Sequence, residues 1–131
     1  MREFIAQLPF QMRELFGDHD LTAYYGWASN LHPDLWHLPM SVPLDVFSYF
    51  IEDSILQGIY DIGGSDLLIH SPDSTVRILL CHESDVHIDG TNDDAIAKLV
   101  AYFPHLDFRS ANDWKSHFED QSKIGLPPNS D

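Results

Sequence analysis

The chain has 131 residues, of which 44% are hydrophobic and 12% aromatic, and this size and composition are typical of one domain with a single core. Twenty-one Asp and Glu residues oppose seven Lys and Arg residues, so the formal net charge is -14. A surface of that charge repels nucleic acid and anionic lipid, which argues against direct binding to either.

The sequence predicts a soluble protein of the cytoplasm. Its longest unbroken apolar stretch, residues 99–103, is far shorter than the roughly 20 residues that cross a bilayer. Residues 1–9 lack the continuous apolar region and the cleavage site of a secretory signal. The single cysteine, Cys81, closes an apolar run and cannot form an internal disulfide, so we expect a buried thiol in a reducing compartment.

The first element is predicted to be a short helix. Phe4, Leu8 and Met12 recur at the spacing of an amphipathic helix. An interior proline costs about 3 kcal/mol, so we expect Pro9 to occupy the first helical position. The helix then covers about residues 9–16.

A strand, a loop and a second helix follow. Residues 21–28 are aromatic enough for a strand, and the three prolines of residues 30–43 indicate a long loop fastened by its aromatic side chains. The second helix begins near Pro43 and ends near Gly58. Its apolar stripe is formed by Leu44, Phe47, Ile51 and Ile55.

The middle of the chain predicts an antiparallel meander and a third helix. Residues 66–70 and 75–82 read as a hairpin, because the four residues between them place a proline where a type I turn favours it. Residues 86–88 extend the sheet. Residues 91–94 match a capping box, with Thr91 as the cap, and open a helix that stops before Pro104.

The end of the chain predicts a short extended segment at residues 106–108 and a brief fourth helix that begins at residues 110–113. Residues 121–131 read as a disordered tail. The predicted fold is therefore α+β, a single domain over residues 1–120 in which an antiparallel sheet packs with about three to four helices.

The densest run of functional side chains is residues 81–89. If this run were extended throughout, Glu83, Asp85, His87 and Asp89 would project from one face. An oxygen-rich metal site, a polar turn between strands and an acidic loop that docks a basic surface are the three interpretations. We favour docking, because Arg77 is the only cation nearby in the sequence, and we predict no metal and no cofactor.

The sequence carries no catalytic signature. Cys81 lies in an apolar run, whereas reactive thiolates need electropositive and accessible surroundings, and in an extended strand His82 would point to the opposite face. No two of the eight histidines show the spacing of a helical zinc site. A serine dyad formed by distant residues stays open, but we predict that the protein is not an enzyme.

Charge distribution suggests a binding role. Residues 14–76 contain ten Asp and Glu residues and no Lys or Arg, which fits either a solubilising surface or a partner-facing patch. The candidate partner-binding residues are Glu83, Asp85, His87 and Asp89, with Glu52 and Asp53 or Asp93 and Asp94 beside them, and Tyr49 and Trp36 as aromatic anchors.

A small acidic domain with one cysteine and the run from Cys81 to His87 resembles the immunity proteins of bacterial polymorphic-toxin and contact-dependent growth-inhibition systems. The resemblance implies that the chain binds a cognate toxin domain, commonly a basic nuclease, and blocks its active site or substrate groove. The alternatives are a metal-dependent or hydrolytic enzyme that uses residues 82–89, and an adaptor module with a solubilising surface and no toxin partner.

Overall fold

The structure is a computed structural model that describes residues 1–103 and, as backbone only, the strand Phe108–Arg109. The helices are α1 (Arg2–Phe16), α2 (Phe47–Leu56) and α3 (Asp93–Tyr102), and single 3-10 turns cover Pro33–Leu35 and Leu44–Val46. The strands are β1 (Leu21–Tyr25), β2 (Met40–Val42), β3 (Leu67–His70), β4 (Val76–Leu80), β5 (Val86–Gly90) and β6 (Phe108–Arg109).

These strands form one sheet in the order β2-β1-β3-β4-β5-β6. The first five pair antiparallel, and the two residues of β6 pair parallel to β5. The prediction of a single α+β domain with an antiparallel sheet and helices is therefore confirmed. None of the helices in the described part of the chain has the length and hydropathy that a membrane crossing requires.

The helices cover one face of the sheet and enclose the main core. Ala23, Ile69, Ile78 and Ile88 lie side by side across four strands and belong to this core. The helices contribute buried side chains to the same cluster, chiefly Phe4, Leu8, Met12, Phe47, Ile51, Ala95 and Leu99. Burial of these apolar side chains is the main stabilising term of the fold.

The opposite face of the sheet carries a second row of neighbours. Tyr24, Leu68, Leu79 and His87 pair across the same four strands, because side chains alternate between faces along a strand. Leu68 and Leu79 pack with Cys81 and Tyr24 in a small cluster separate from the main core. This face is largely buried and still carries polar groups.

The predicted start of α1 at Pro9 is wrong. The helix runs from Arg2 to Phe16 with Pro9 in its interior. Phe4 and Leu8 are completely buried, and the Phe4 ring lies 4.7 Å from that of Phe103. Each buried aliphatic or aromatic side chain contributes about 1.5–3 kcal/mol, which offsets the roughly 3 kcal/mol that an interior proline costs.

The long loop predicted for residues 30–43 contains a strand that the sequence did not indicate. β2 pairs with β1 through Leu21 opposite Val42 and Ala23 opposite Met40. Its three residues are too few to show an alternating pattern. The second helix matches its prediction in outline, because Phe47 and Ile51 are buried as expected, although a 3-10 turn forms its first part.

The β3–β4 turn is confirmed. The Ser74 N–H donates to the carbonyl of Ser71 at 3.0 Å, with Pro72 at the second position of the turn. The Asp73 carboxylate accepts hydrogen bonds from Ser71, from the Thr75 N–H and from the Thr75 hydroxyl, and these bonds hold its pKa below the ordinary value.

The third helix is confirmed, but Thr91 is not its cap. The Asn92 side chain accepts the Ala95 N–H at 3.0 Å, so the cap lies one residue later than the capping-box pattern predicted. Asn is as good a cap as Thr or better. The predicted fourth helix and the tail of residues 121–131 lie outside the described residues.

Candidate functional site

Residues 81–85 form the turn between β4 and β5. The Cys81 N–H donates to the Asp85 carbonyl at 2.9 Å, and the Ser84 N–H donates to the Cys81 carbonyl at 3.0 Å. Ser84 has a φ of 68°, which is typical of the last residue of a three-residue hairpin loop. The condition that the run is extended throughout is therefore not met, and Glu83 lies at the exposed tip of the turn.

The turn brings Cys81, Asp85 and His87 together on the second face of the sheet. Cys81 and Asp85 flank the loop as a cross-strand pair, and His87 lies two residues further along β5. One potential ligand atom of each residue lies within 4.8 Å of those of the other two, and His87 Nε2 lies 3.5 Å from Asp85 Oδ1. Cys81 and His87 are 1% and 7% exposed. We call these three residues the turn cluster.

Asp66 and His82 form a second polar group beside the turn cluster. Asp66 is 1% exposed, and its Oδ1 accepts the backbone N–H of His82 at 2.6 Å and lies 2.8 Å from His82 Nδ1. His82 Nδ1 lies 3.9 Å from Cys81 Sγ, so the expectation that His82 points away from Cys81 is wrong. The reason is that His82 is the first residue of the turn and not part of a strand.

The electrostatic environment keeps the Cys81 thiol protonated. Burial raises the pKa of Cys81 to about 12; the Glu83 backbone N–H opposes this rise, and the carboxylates of Asp66 and Asp85 add to it. A nucleophilic cysteine needs a thiolate near neutral pH, in electropositive surroundings. Cys81 has the opposite surroundings, so it is a poor nucleophile.

His87 and Asp89, which were also predicted to dock a partner, lie within the sheet and contact other residues of the chain. His87 is buried. The Asp89 carboxylate forms an ion pair with Arg77, which lies directly opposite it in the β4–β5 register. Of the four residues predicted from this run, Glu83 alone has a mostly exposed side chain. Strand alternation turns His87 and Asp89 toward the second face.

The outer face of α2 has a different character. Tyr49 and Leu56 are 71% and 85% exposed, and Glu52 and Asp53 lie between them in the sequence. These four residues, with Val46 just before the helix, share one side of α2 opposite the buried Phe47 and Ile51, as expected at three- and four-residue spacings. We call this surface the α2 outer face.

The remaining candidates lie at two other places. Trp36 is half-buried, and its ring lies 6.0 Å from that of the more exposed Trp27 in an edge-on arrangement. Asp93 and Asp94 are exposed in the first turn of α3, where Asp94 pairs with Lys98 at 3.0 Å. Carboxylates in a first turn also stabilise the helix itself.

Sequence reasoning missed two contributors. Leu56 lies with Glu52 and Asp53 off the apolar stripe of α2, a position that a helical projection of residues 44–58 reveals. Asp66 had no such signal, because only the folded chain brings the start of β3 next to the β4–β5 turn, where its carboxylate meets His82.

No protein-family model matches the chain. Neither a curated protein nor a solved structure matches it. The assignment of the candidate surfaces is therefore based on the residues and geometry of this chain alone.

Proposed function

We propose that this chain is a non-enzymatic acidic binding protein of the cytoplasm that neutralises a cognate basic toxin domain by covering its active site or substrate groove. The activity we propose for this toxin domain is that of a nuclease. The observation that carries the proposal is the α2 outer face, where exposed Tyr49 and Leu56 adjoin Glu52 and Asp53. The resemblance to immunity proteins supplies the class of partner, and the net charge of -14 supplies the sign of the partner's charge.

The described part of the chain has few cations to offset its carboxylates. Residues 1–103 contain sixteen Asp and Glu residues but only four Lys and Arg residues, which are Arg2, Arg13, Arg77 and Lys98. Each of the four already forms an ion pair with at least one carboxylate. The uncompensated charge creates a negative field that raises the association rate with a basic partner.

The carboxylates of the α2 outer face can change partners at little cost. Glu52 pairs with Arg2 at 3.0 Å, and more than half of each side chain is exposed. An exposed ion pair contributes only about 0–1 kcal/mol, so a cation of a partner can replace Arg2. Asp53 accepts a hydrogen bond from Gln57 at 2.7 Å and forms no ion pair with the Lys and Arg residues of the described range.

The exposed apolar side chains supply the lasting affinity that exposed charges do not. Rim charges mainly change the association rate and the salt dependence of a complex, whereas affinity depends on a few anchors that become buried. Tyr49 combines a large ring with a hydroxyl group, and Leu56 adds an aliphatic side chain two turns later. Both lie next to carboxylates, so one contact can bury the anchors and pair the charges.

An acidic surface suits the inhibition of a nuclease for a physical reason. A nuclease binds a phosphate backbone through Lys and Arg side chains. An inhibitor with carboxylates at its binding face meets the same cations and competes with the substrate for them. This mechanism requires no catalytic residue in the inhibitor.

Affinity capture from the native host, followed by an activity assay, tests the proposal. The bait is the full chain, and the double variant Tyr49→Gln/Leu56→Gln is the comparison. Phe10→Gln is the matched control, because Phe10 is an exposed aromatic residue on a different helix. We expect the wild type and the control to capture a basic domain that cleaves nucleic acid, and to inhibit it at equimolar concentration.

The double variant should capture much less of that domain, with an inhibition constant at least about 10-fold higher, because two anchors are lost. A captured protein whose activity is unaffected by a saturating amount of the chain contradicts the proposed function. Equal inhibition by the wild type and the double variant contradicts the assignment of the α2 outer face.

A further inference from the structure

The turn cluster has ligand types that the binding function does not use. Cys81, Asp85 and His87 offer a thiol, a carboxylate and an imidazole within 4.8 Å of one another. The thiol and the imidazole are almost completely buried, and the Asp85 side chain is 17% exposed. Thiolate and imidazole ligands favour zinc over calcium and magnesium, which need several oxygen ligands.

The distance between two ligand atoms of the turn cluster fits one ion, and the Cys81 sulfur lies within 4.8 Å of a ligand atom of each of the other two residues. With zinc bonds of about 2.0–2.3 Å, the ligand atoms of a tetrahedral site lie roughly 3.3–3.7 Å apart. The 3.5 Å between His87 Nε2 and Asp85 Oδ1 falls in this range. The neighbouring pair of Asp66 and His82 does not fit, because its 2.8 Å separation is that of a hydrogen bond.

The backbone already holds the three side chains in place. The hydrogen bond from the Cys81 N–H to the Asp85 carbonyl fixes the two residues across the turn. β5 pairing with β4 fixes His87 opposite Leu79, on the same face. A site on paired strands is therefore preorganised, and its ligands need only side-chain adjustment to meet an ion.

The charge of the cluster also suits a divalent cation. The carboxylates of Asp66 and Asp85 place negative potential at the Cys81 sulfur. A thiolate and the Asp85 carboxylate together carry two negative charges, which one Zn²⁺ ion cancels. A neutral site costs less to bury than an unpaired charge.

We propose that Cys81, Asp85 and His87 form a Zn²⁺ site at the β4–β5 turn. The ion has three protein ligands and leaves its fourth tetrahedral position to a water molecule, which is the coordination of an open zinc site. On binding, the S–H bond of Cys81 breaks, a Zn–S bond forms and the proton passes to the buffer, so binding releases protons and tightens as pH rises. The inference does not depend on the proposed function.

Metal titration of the full chain tests the site. The protein is first freed of metal with a chelator and then titrated with Zn²⁺ or with Co²⁺ as a spectroscopic substitute. We expect one ion per chain, and with Co²⁺ the near-ultraviolet absorption of a thiolate-to-cobalt charge transfer. Binding of substoichiometric metal, or a cobalt complex without the thiolate absorption, overturns the proposal without any variant.

Variants then separate the two overlapping groups of ligands. Cys81→Ser should remove the charge-transfer absorption, and His87→Gln should weaken zinc binding by at least about 100-fold, the upper end of the roughly 10–100-fold loss that follows when a residue supporting a ligand is changed. Glu83→Gln is the matched control in the same turn, and His82→Gln, whose ring lies 3.9 Å from Cys81 Sγ, should weaken binding less than His87→Gln. Loss of binding in His82→Gln with retention in His87→Gln overturns the assigned ligands, and circular dichroism of each apo variant verifies folding.

Discussion

The α2 helix has exposed side chains on one side and buried side chains on the other. Tyr49 and Leu56 are mostly exposed, whereas Phe47 and Ile51 on the opposite side of the same helix are 0% and 1% exposed. If the exposed pair serves a partner, its removal should leave the folding of the free chain unchanged. Gln is the chosen replacement because it is a good helix former, with a propensity close to that of Leu.

The expected magnitudes follow from burial. Tyr49→Gln and Leu56→Gln should each change the free energy of unfolding by no more than about 0.5 kcal/mol, as substitutions on an exposed surface do. Phe47→Ala should cost about 3–5 kcal/mol and Ile51→Ala about 2–5 kcal/mol, because each leaves a cavity in the main core. The two groups differ by several kcal/mol although they belong to one helix of ten residues.

Urea unfolding followed by circular dichroism and fluorescence measures these values under identical conditions. The slope of the free energy against urea concentration should be the same for all variants, so that the midpoints compare directly. A loss of more than about 1.5 kcal/mol in Tyr49→Gln or Leu56→Gln would refute the reasoning. Such a loss would mean that these side chains stabilise the fold, and their exposure would then not indicate a binding role.

Two further predictions concern the fold. Burial, with a smaller contribution from Arg77, lowers the pKa of His70 to about 4, so between about pH 6.5 and pH 4 the unfolded chain binds more protons and stability falls as pH decreases. Because His70 is partly exposed, the expected loss of unfolding free energy between pH 7 and pH 5 is about 1 kcal/mol. Urea titrations at both pH values should show a smaller loss in His70→Gln than in the wild type. An equal loss in the two proteins excludes His70 as the cause. Gly90→Ala should cost at least about 2 kcal/mol, because φ is +147° and a Cβ would clash with the Thr75 carbonyl. In Gly58→Ala, where φ is +71° with open space around it, strain alone should cost about 1 kcal/mol; equal losses in thermal unfolding would contradict the clash.

Local patterns predicted much of the fold. Helix α2, the β3–β4 hairpin and helix α3 each depend on residues close in sequence, such as the apolar positions Phe47 and Ile51 or the turn that begins at Ser71. In these segments the spacing of apolar residues and the turn chemistry agree with the final packing. The α+β architecture was predictable for the same reason.

The elements that were predicted wrongly or missed depend on contacts between residues that are distant in sequence. Pro9 is tolerated inside α1 because Phe4 and Leu8 are buried against the rest of the core, which no local pattern indicates. β2 exists because β1 lies beside it. The turn cluster was invisible for a subtler reason: an extended run would hold Cys81 and Asp85 about 13 Å apart, whereas the three-residue loop makes them a cross-strand pair.

The candidate site was predicted only in part. Tyr49 and Leu56 join Glu52 and Asp53 on one side of α2, whereas the prediction had put these two carboxylates beside the run from Glu83 to Asp89. His87 and Asp89 lie within the sheet. The sequence indicates the sign of the charge, but the fold decides which carboxylates face solvent.

The most direct test of the central claim is the association rate with the captured basic domain, measured by stopped-flow at low and at physiological ionic strength. Charge reversal in Glu52→Lys/Asp53→Lys should slow association at least about 10-fold at low ionic strength and less at physiological ionic strength, because salt screens the attraction. Asp93→Lys/Asp94→Lys, with the same change of charge on α3, should have a smaller effect. An association rate that charge reversal on α2 leaves unchanged at both ionic strengths would contradict the claim that these carboxylates bind a basic partner.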